Sequence, residues 1–471
     1  MQHKSSYFWG LISRFAPQGL YMITTMVLAR YLSPDDFGTI GVLSVIFMVA
    51  NTLIDSGLGG SLIKEKEITS IDCSTISTFN IFISSLIYII IFLSAPFIEE
   101  YYAVKDLALI TRLVSLEFVI GSLGLVPRSL LVRELRFRDI TIASILIVVI
   151  ASTAAIIAAL LKLGVFSLVI YRLTHSITRV VFQYYLTKFH FSLRFSYDSF
   201  RKLISFGLFT TICSVIDTVY ENLLTIITGK YMNVKEAGYM YQSKQLETVL
   251  SSSVAATIAS VSFPILTRYK EDINEFRKEA RSIFQTVSIV VFPILVSIAF
   301  FSKPIIRLLY GSQWDKSAFY LSWLLIAGIL HIMENLNRTF IKSHADVDKL
   351  TIITIIKRTI GIGIIFISLT ISPEAIVFGY IVSTLFGFLC NQYLYCKIIS
   401  DNFIKSLVRL FNLLLPIFVY SALLLFFKYG ISGDLWLNLA VSIILLFIYY
   451  FLIAPKYGVS IISLIKGLVH K

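Results

Sequence analysis

Charged side chains inside long apolar segments are the residues of this 471-residue sequence that could do chemistry. An ionisable group inside a membrane helix is costly and normally faces a cavity or a partner helix. In five segments the polar residues recur at steps of three and four, which places them on one helical face. The five stripes are Arg14, Gln18, Tyr21 and Thr25; Arg172, His175, Arg179 and Gln183; Thr210, Ser214, Asp217, Glu221, Thr225 and Thr228; Lys244, Glu247, Thr248 and Ser251; and His331, Glu334, Asn335 and Arg338.

Two further apolar segments add Arg112 with Glu117, and Lys357 with Arg358. In all, nine basic and seven acidic groups fall inside apolar segments. That number is too large for effects at helix ends alone, so the sequence predicts a hydrated, mildly cationic cavity. Because Lys357 and Arg358 are adjacent and point to different faces, at most one of them is expected to face such a cavity.

Simpler roles stay open for several of these residues. Arg14 and Arg338 lie within about five residues of a predicted cytoplasmic edge, from which a long side chain reaches the lipid headgroups. Arg112 and Lys244 lie near the opposite edge, where an ion pair or the same snorkelling explains them. For Asp217 and Glu221, which lie one turn apart, a purely structural ion pair with a buried base is as open as a functional role.

Enzyme chemistry finds no support in the sequence. The cysteines are scattered and lack the spacing of metal ligands or of a disulfide framework; they are Cys73, Cys213, Cys390 and Cys396. No GxxxxGK[ST] phosphate-binding loop occurs, which argues against ATP hydrolysis. A glycosyltransferase or polymerase would need catalytic carboxylates on a large loop, and the Glu99–Glu100 pair more simply marks a helix end. We therefore expect no metal, no cofactor and no enzyme activity.

The elements that position the polar stripes are membrane helices. Apolar residues make up 57% of the chain and charged residues 15%, against roughly 45–50% and about 25% in soluble proteins. Reading for runs of about 20 apolar residues predicts an all-α polytopic membrane protein with about fourteen spans. Their approximate ranges are 9–29, 37–58, 76–98, 107–126, 140–161, 164–186, 203–228, 238–266, 282–302, 318–340, 350–370, 374–395, 407–427 and 435–453.

The distribution of charge predicts the orientation of these spans. If the chain starts inside and alternates, 23 of the 41 Lys and Arg residues fall in cytoplasmic segments and 9 on the opposite side. Cytoplasmic loops carry the basic excess in membrane proteins, so both termini are expected in the cytoplasm. Most of the net charge of +13 is thereby explained by topology, and it gives no reason to expect a nucleic-acid partner.

A short repeat predicts the domain organisation. Residues 30–38 (Arg-Tyr-Leu-Ser-Pro-Asp-Asp-Phe-Gly) end the first span, and residues 230–238 (Lys-Tyr-Met-Asn-Val-Lys-Glu-Ala-Gly) end the seventh. A duplicated six-helix unit would match these two positions and give two parallel lobes. We therefore expect a six-helix lobe over residues 1–190, a second over 191–400, and helices 13 and 14 with a cytoplasmic tail over 401–471.

Several motifs resemble those of the polysaccharide-transporter branch of the multidrug/oligosaccharidyl-lipid/polysaccharide flippase superfamily. They are Ser13-Arg14, residues 28–38, residues 55–59 (Asp-Ser-Gly-Leu-Gly), residues 127–131 (Pro-Arg-Ser-Leu-Leu), Arg136-Phe137, and residues 263–268 (Phe-Pro-Ile-Leu-Thr-Arg). The resemblance extends over about residues 5–400. It implies a V-shaped, multidrug-exporter-like fold whose two lobes open alternately to each side of the membrane.

The same resemblance implies a function. Wzx-type members move undecaprenyl-diphosphate-linked sugar units across the bacterial inner membrane, for O-antigen, capsule or exopolysaccharide assembly. The expected partners are the lipid-linked oligosaccharide, the bilayer, and a polymerase with its chain-length machinery. A cation-coupled multidrug exporter of the same superfamily is the alternative.

The resemblance also gives roles to the intramembrane charges. Basic residues in the cavity commonly serve the family, which here points first to Arg14 and then to Arg112, Arg179 and Lys244. The stripes add Gln18, Arg172 and Arg338 as candidates for substrate binding. The acidic candidates for ion coupling are Asp217, Glu221, Glu247 and Glu334.

Overall fold

Helices account for every regular element in the part of the chain that the structure describes. A computed structural model describes residues 2–55, 58–65, 67–204, 208–344, 347–430 and 435–457. The all-α prediction is confirmed, because the apolar runs are long enough to satisfy their backbone groups only as helices inside a bilayer.

Within those ranges, nine helices are long and apolar enough to cross a membrane. The number is ten if Leu107–Ser122 and Leu125–Arg133, which meet at a bend of 45°, form one span. The chain is therefore a multi-pass membrane protein. Each of the fourteen predicted segments lies at least partly on a helix, and the exact count of fourteen spans stays a prediction.

The chain divides into two compact units, residues 1–241 (unit 1) and 242–471 (unit 2). The boundary falls inside one helix, Val234–Glu247. The lobes of residues 1–190 and 191–400 stay a prediction, because compactness and descent from a duplicated segment are different properties.

Unit 1 contains ten helices and most of an eleventh in the described ranges. They are α1 Gln2–Tyr31, α2 Pro34–Asp55, α3 Leu58–Lys64, α4 Ser70–Tyr102, α5 Leu107–Ser122, α6 Leu125–Arg133, α7 Phe137–Leu160, α8 Phe166–Thr187, α9 Tyr197–Ile204, α10 Leu208–Tyr231 and α11 Val234–Glu247. Helix α7 packs between α1 and α8, while α5 packs on α4 and α8, and α10 packs on α2. Small residues make the packing of α7 close; the buried ones are Ala143, Ala151, Ala155, Ala158 and Ala159.

The repeat has the same local structure in both copies. Helix α1 ends at Tyr31 and α10 at Tyr231, while α2 begins at Pro34 and α11 at Val234. In the first copy, the Asp36 backbone N–H donates to Ser33 Oγ at 3.2 Å. In the second, the Glu236 N–H donates to Asn233 Oδ1 at 2.8 Å. Ser and Asn both cap the N-terminus of a helix well, which explains how two different sequences form one turn.

Unit 2 is built around one long helix. After a π-turn at Thr248–Ser252 its helices are α12 Ser253–Arg268, α13 Ile273–Val290, α14 Phe292–Phe300, α15 Ser302–Tyr310, α16 Asp315–His344, α17 Val347–Leu369, α18 Ile376–Ile398, α19 Phe403–Gly430 and α20 Leu435–Ile448. Helix α16 packs on α12, α14 and α18, and α17 packs on α18. This packing brings the polar residues of α16, α17 and α18 together.

Short helices also form between the predicted spans, in segments for which the hydropathy pattern predicts no structure. They include α3, α6, α9 and α15. Helix α3 packs on α6 through a small apolar cluster that contains Leu62 and Val126. These segments are too short to show a helical period in the sequence.

Candidate functional site

An ion pair joins α5 to α8 in unit 1. The Arg172 guanidinium donates to Glu117 Oε1 at 3.0 Å, and the two side chains are 22% and 13% exposed. The guanidinium carbon also lies 5.1 Å from the centre of the Phe47 ring on α2, within the range of a cation–π interaction. Arg172 is thus held by a carboxylate and an aromatic face and is still partly exposed.

Tyrosines from three helices surround this ion pair. The rings of Tyr21 on α1 and Tyr171 on α8 lie 5.3 Å apart, and Tyr21 shares a side-chain hydrogen bond with Tyr241 on α11. The His175 ring stacks on Tyr171, with 5.9 Å between ring centres. A cation, aromatic faces and hydroxyl groups therefore occupy one region of unit 1. We call Arg172, Glu117, Tyr21, Tyr171 and Tyr241 the Arg172 cluster.

The rest of the predicted stripe on α8 faces the end of α5. The Arg179 guanidinium lies against Gly121, where an added Cβ would be 2.7 Å from Nη2. Gln183 approaches Gly124 still more closely, and Ser176 Oγ donates to the Glu117 carbonyl at 3.3 Å. The stripe does share one face, as predicted, and two glycines make room for its polar groups.

The remaining basic and amide candidates of unit 1 are Arg14, Gln18 and Arg112. Arg14 lies on α1, but its side chain falls outside the described residues. Gln18 is half-buried on the same helix. Arg112 contacts α4: its Nε donates to the Phe92 carbonyl at 3.3 Å, and its guanidinium carbon lies 4.4 Å from the Phe92 ring centre.

The acidic candidates of α10 lie one turn apart on the described half of that helix. Asp217 is half-buried and Glu221 is exposed. The side chains of Thr210 and Ser214, which complete the predicted stripe, lie outside the described residues.

In unit 2, Lys244 and Glu247 form an ion pair within α11. Lys244 Nζ donates to Glu247 Oε2 at 2.7 Å, and Glu247 is buried. The Ser251 hydroxyl donates to the same carboxylate. Gly328 on α16 makes room for both, because an added Cβ would lie 2.8 Å from Ser251 Oγ. One turn of π-helix directly follows Glu247, and such turns often occur at functional sites.

A second ionic cluster of unit 2 lies among α16, α17 and α18. Lys357 Nζ donates to Glu334 Oε1 at 2.5 Å and to Asn391 Oδ1 at 3.0 Å. Arg358 Nη2 lies 3.5 Å from the same Glu334 oxygen. Glu334, Lys357 and Arg358 are 3%, 2% and 4% exposed. We call these three residues with Asn391 the Glu334 cluster.

That at most one of the two adjacent cations faces a cavity stays a prediction. The structure shows where both side chains end. Lys357 and Arg358 both reach the one carboxylate of Glu334, because their long side chains converge from neighbouring faces of α17. Arg338, one turn beyond Glu334 on α16, is half-buried.

Two features of these sites were absent from the predicted site residues. The sequence shows Glu117 as an intramembrane acid, but its pairing with Arg172 depends on contact between α5 and α8. The glycines Gly121 and Gly328 make room for polar groups on the facing helix. A glycine inside an apolar helix indicates that a neighbouring group approaches closely, but the sequence alone does not identify that neighbour.

Metal binding receives no support from the described part of the chain, where no three His, Cys, Asp or Glu side chains lie close enough to hold an ion. Unit 2 does contain an apolar groove of about 1400 Å³. Its lining comes from α14, α15, α16, α18 and α19 and includes Phe292, Trp323 and Phe411, with Lys303 and Lys316 among its few charged residues.

Comparisons with known proteins place this chain. A family model described as "Polysaccharide biosynthesis protein" matches residues 27–319, more than half of the chain. The lipopolysaccharide biosynthesis protein WzxC of Escherichia coli (strain K12) is 26% identical over 342 residues, which are 72% of this chain and 70% of that protein.

Two solved structures share the fold. The lipid II flippase MurJ in an inward closed conformation has a TM-score of 0.72 and 16% identity, and the match covers 94% of this chain and 98% of that one. An inward-facing multidrug transporter of the MATE family, in the MOP superfamily, has a TM-score of 0.61 and 15% identity, covering 83% and 99%. The resemblance drawn from the sequence motifs is confirmed, and the chain belongs to the polysaccharide biosynthesis protein family.

Proposed function

We propose that this protein is a flippase, a transporter rather than an enzyme. It moves undecaprenyl-diphosphate-linked oligosaccharide units from the inner to the outer leaflet of the bacterial cytoplasmic membrane by alternating access. The units then serve the assembly of a surface polysaccharide. The family match and the similarity to WzxC support this class of substrate.

The Arg172 cluster is the observation that carries the proposal. A diphosphate headgroup cannot cross roughly 30 Å of hydrocarbon without groups that replace its hydration. The planar guanidinium of arginine gives bidentate, charge-assisted contacts to phosphate oxygens. The tyrosines beside Arg172 supply hydroxyl groups and ring faces that suit sugars.

The apolar groove of unit 2 supports a lipid-linked substrate. A polyprenyl chain is entirely hydrocarbon, and each CH₂ group removed from water favours burial by about 0.8 kcal/mol. The tail can therefore stay in lipid or in an apolar groove while the headgroup crosses through polar surroundings.

The membrane potential gives the movement a direction. The cell interior is negative, and one charge crossing the whole field corresponds to about 2.3 kcal/mol per 100 mV. Outward movement of a headgroup with about two negative charges is therefore favoured. We propose that the potential, with proton or sodium antiport through Asp217, Glu221, Glu247 or Glu334, drives net transport.

The orientation and the partners belong to the same proposal. The distribution of basic residues supports cytoplasmic N- and C-termini. A flipped unit has to be joined to others before a polymer appears, so a polymerase and its chain-length machinery are the expected partners at the outer face.

Complementation tests the function. The chain is expressed in a set of flippase-null bacterial strains that make different sugar units, and surface polymer is measured. We expect restored polymer in at least one strain. Arg172→Ala, Arg179→Ala and Arg14→Ala are each expected to lower it by about tenfold or more, the loss that follows from one charge-assisted contact of about 1.5–3 kcal/mol.

The matched control is Lys278→Ala, because the Lys278 side chain is 72% exposed and lies outside the predicted spans. Its activity is expected to equal that of the unmodified protein. Failure in every strain, together with resistance to cationic dyes, would instead identify a multidrug exporter.

A further inference from the structure

The connection between α8 and α9 in unit 1 exposes an apolar side chain at every second residue. Residues 188–196 have no regular secondary structure and lead directly into α9. Leu193, Phe195 and Tyr197 are 73%, 52% and 67% exposed, and Phe191 is 37% exposed. We call these four residues the exposed row.

Contacts with α4 hold the exposed row at one level of the fold. The Ser196 backbone N–H donates to Thr75 Oγ1 at 3.0 Å. Thr78 Oγ1 donates to the Arg194 carbonyl oxygen at 3.3 Å. The backbone on both sides of Phe195 is therefore tied to the first turns of α4, which begins at Ser70.

That level is the edge of the hydrocarbon core. Helix α4 has 33 residues and the composition of a membrane span. At 1.5 Å per residue it is about 50 Å long, whereas the hydrocarbon core is roughly 30 Å thick, so its ends extend into the headgroup regions. The apolar run within it is residues 76–98, and Thr75 and Thr78 lie where this run begins. The exposed row is thus placed where headgroups meet acyl chains.

Basic residues accompany the exposed row. Lys188, Arg194 and Arg201 are exposed. Residues 188–202 contain four Lys or Arg residues and one acid, Asp198. Aromatic and aliphatic side chains combined with bases are typical of segments that lie in the membrane interface and attract anionic lipids. The long side chains of the bases can reach phosphate groups from this level.

We propose that the exposed row and its bases form a binding surface for anionic phospholipids. Leu193 and Phe195 enter the acyl boundary, while Arg194 and its neighbouring bases contact headgroup phosphates. Each base near an anionic surface is expected to give about a fivefold preference, the ratio that corresponds to about 1 kcal/mol. The binding does not depend on the proposed flippase function.

Fluorescence quenching in lipid nanodiscs tests the surface. Leu193→Cys, in a cysteine-free form of the full chain, carries a fluorophore. The discs contain phosphatidylcholine with a minor share of phosphatidylglycerol, and a quenching spin label is placed on the acyl chain of one lipid or the other. We expect quenching by both lipids, and stronger quenching per labelled molecule by phosphatidylglycerol. A fluorophore at Asn274→Cys, an exposed position midway between two predicted spans, should be quenched much less by either lipid.

Removal of charge tests the headgroup preference. The charge variant combines Lys188→Gln, Arg194→Gln and Arg201→Gln. Its preference for phosphatidylglycerol should fall by about fivefold for each base removed, while phosphatidylcholine still quenches. A matched control, which should keep the preference, removes three exposed bases elsewhere: Arg268→Gln, Lys270→Gln and Lys278→Gln.

Two results from the Leu193 label alone would overturn the proposal. Equal quenching by the two lipids would show apolar insertion without recognition of anionic headgroups. Quenching as weak as that at Asn274 would place the exposed row in water, where a protein partner rather than lipid would have to cover it.

Discussion

Gly38 and Gly238 are 200 residues apart, and each packs against the start of the helix that carries the other. A Cβ added to Gly38 would overlap the Val234 carbonyl, and one added to Gly238 would overlap the Pro34 carbonyl. Pro34 and Val234 are also 200 residues apart, so the contact is reciprocal. The repeat seen in the sequence therefore joins its own two copies, with α2 and α11 in backbone contact.

This contact predicts that alanine at either glycine is destabilising. The overlapping atom is a backbone carbonyl, which cannot rotate away, so the helices must separate. We expect Gly38→Ala and Gly238→Ala each to cost about 1–3 kcal/mol, the range for overpacked sites. Thermal unfolding of the purified protein in detergent measures the loss.

Gly19→Ala is the matched control. A Cβ at Gly19, inside α1, would meet no atom within 4 Å, and alanine is favoured over glycine in a helix by up to about 1 kcal/mol. Its unfolding temperature should stay the same or rise. If Gly38→Ala behaved like this control, the reciprocal contact would be absent from the folded protein.

Alanine at Gly121 is expected to lower transport while leaving stability nearly unchanged, in contrast to alanine at Gly38. An added Cβ there would meet the guanidinium of Arg179, the far end of a flexible side chain that can move. Gly121→Ala should therefore leave the free energy of unfolding within about 0.5–1 kcal/mol of the unmodified value. Transport should fall, because Arg179 is displaced. Complementation measured beside thermal unfolding checks this, and unchanged polymer would remove Arg179 from the site.

The ion pair of the Arg172 cluster predicts a rescue of folding without a rescue of function. Arg172→Ala leaves the mostly buried Glu117 carboxylate without its partner, at a cost of about 3–5 kcal/mol. Adding Glu117→Gln removes the uncompensated charge, so the double variant should recover most of the stability. Its transport should stay low because the diphosphate contact is gone. Recovery of transport would show that the pair is only structural.

The predicted orientation is tested by labelling single cysteines in a cysteine-free background. Lys64 and Lys105 are both exposed, and the alternation of spans places them on opposite sides. An impermeant maleimide should label Lys105→Cys in intact cells and Lys64→Cys only after the membrane is opened. Both should react in lysed cells. The reverse pattern would invert the topology and with it the expected direction of transport.

Helical spans and polar faces could be predicted from the sequence because both follow from the spacing of residues that are near one another in the chain. The stripe of Arg172, Arg179 and Gln183 lies on one face as its spacing indicates. The partners of these residues could not be predicted. Glu117 meets Arg172 only because α5 packs on α8, and Asn391 meets Lys357 only because α17 packs on α18. Such pairs depend on helix packing, for which a single sequence carries no period.

The most direct test of the central claim is a flipping measurement with purified components. Vesicles that contain the protein receive an undecaprenyl-diphosphate-linked oligosaccharide in one leaflet, and its arrival in the other leaflet is followed by an impermeant reagent for the sugar. The account predicts rapid transfer with the unmodified protein and little transfer with the Glu117→Gln/Arg172→Ala variant. Transfer by the unmodified protein no faster than in protein-free vesicles would contradict it.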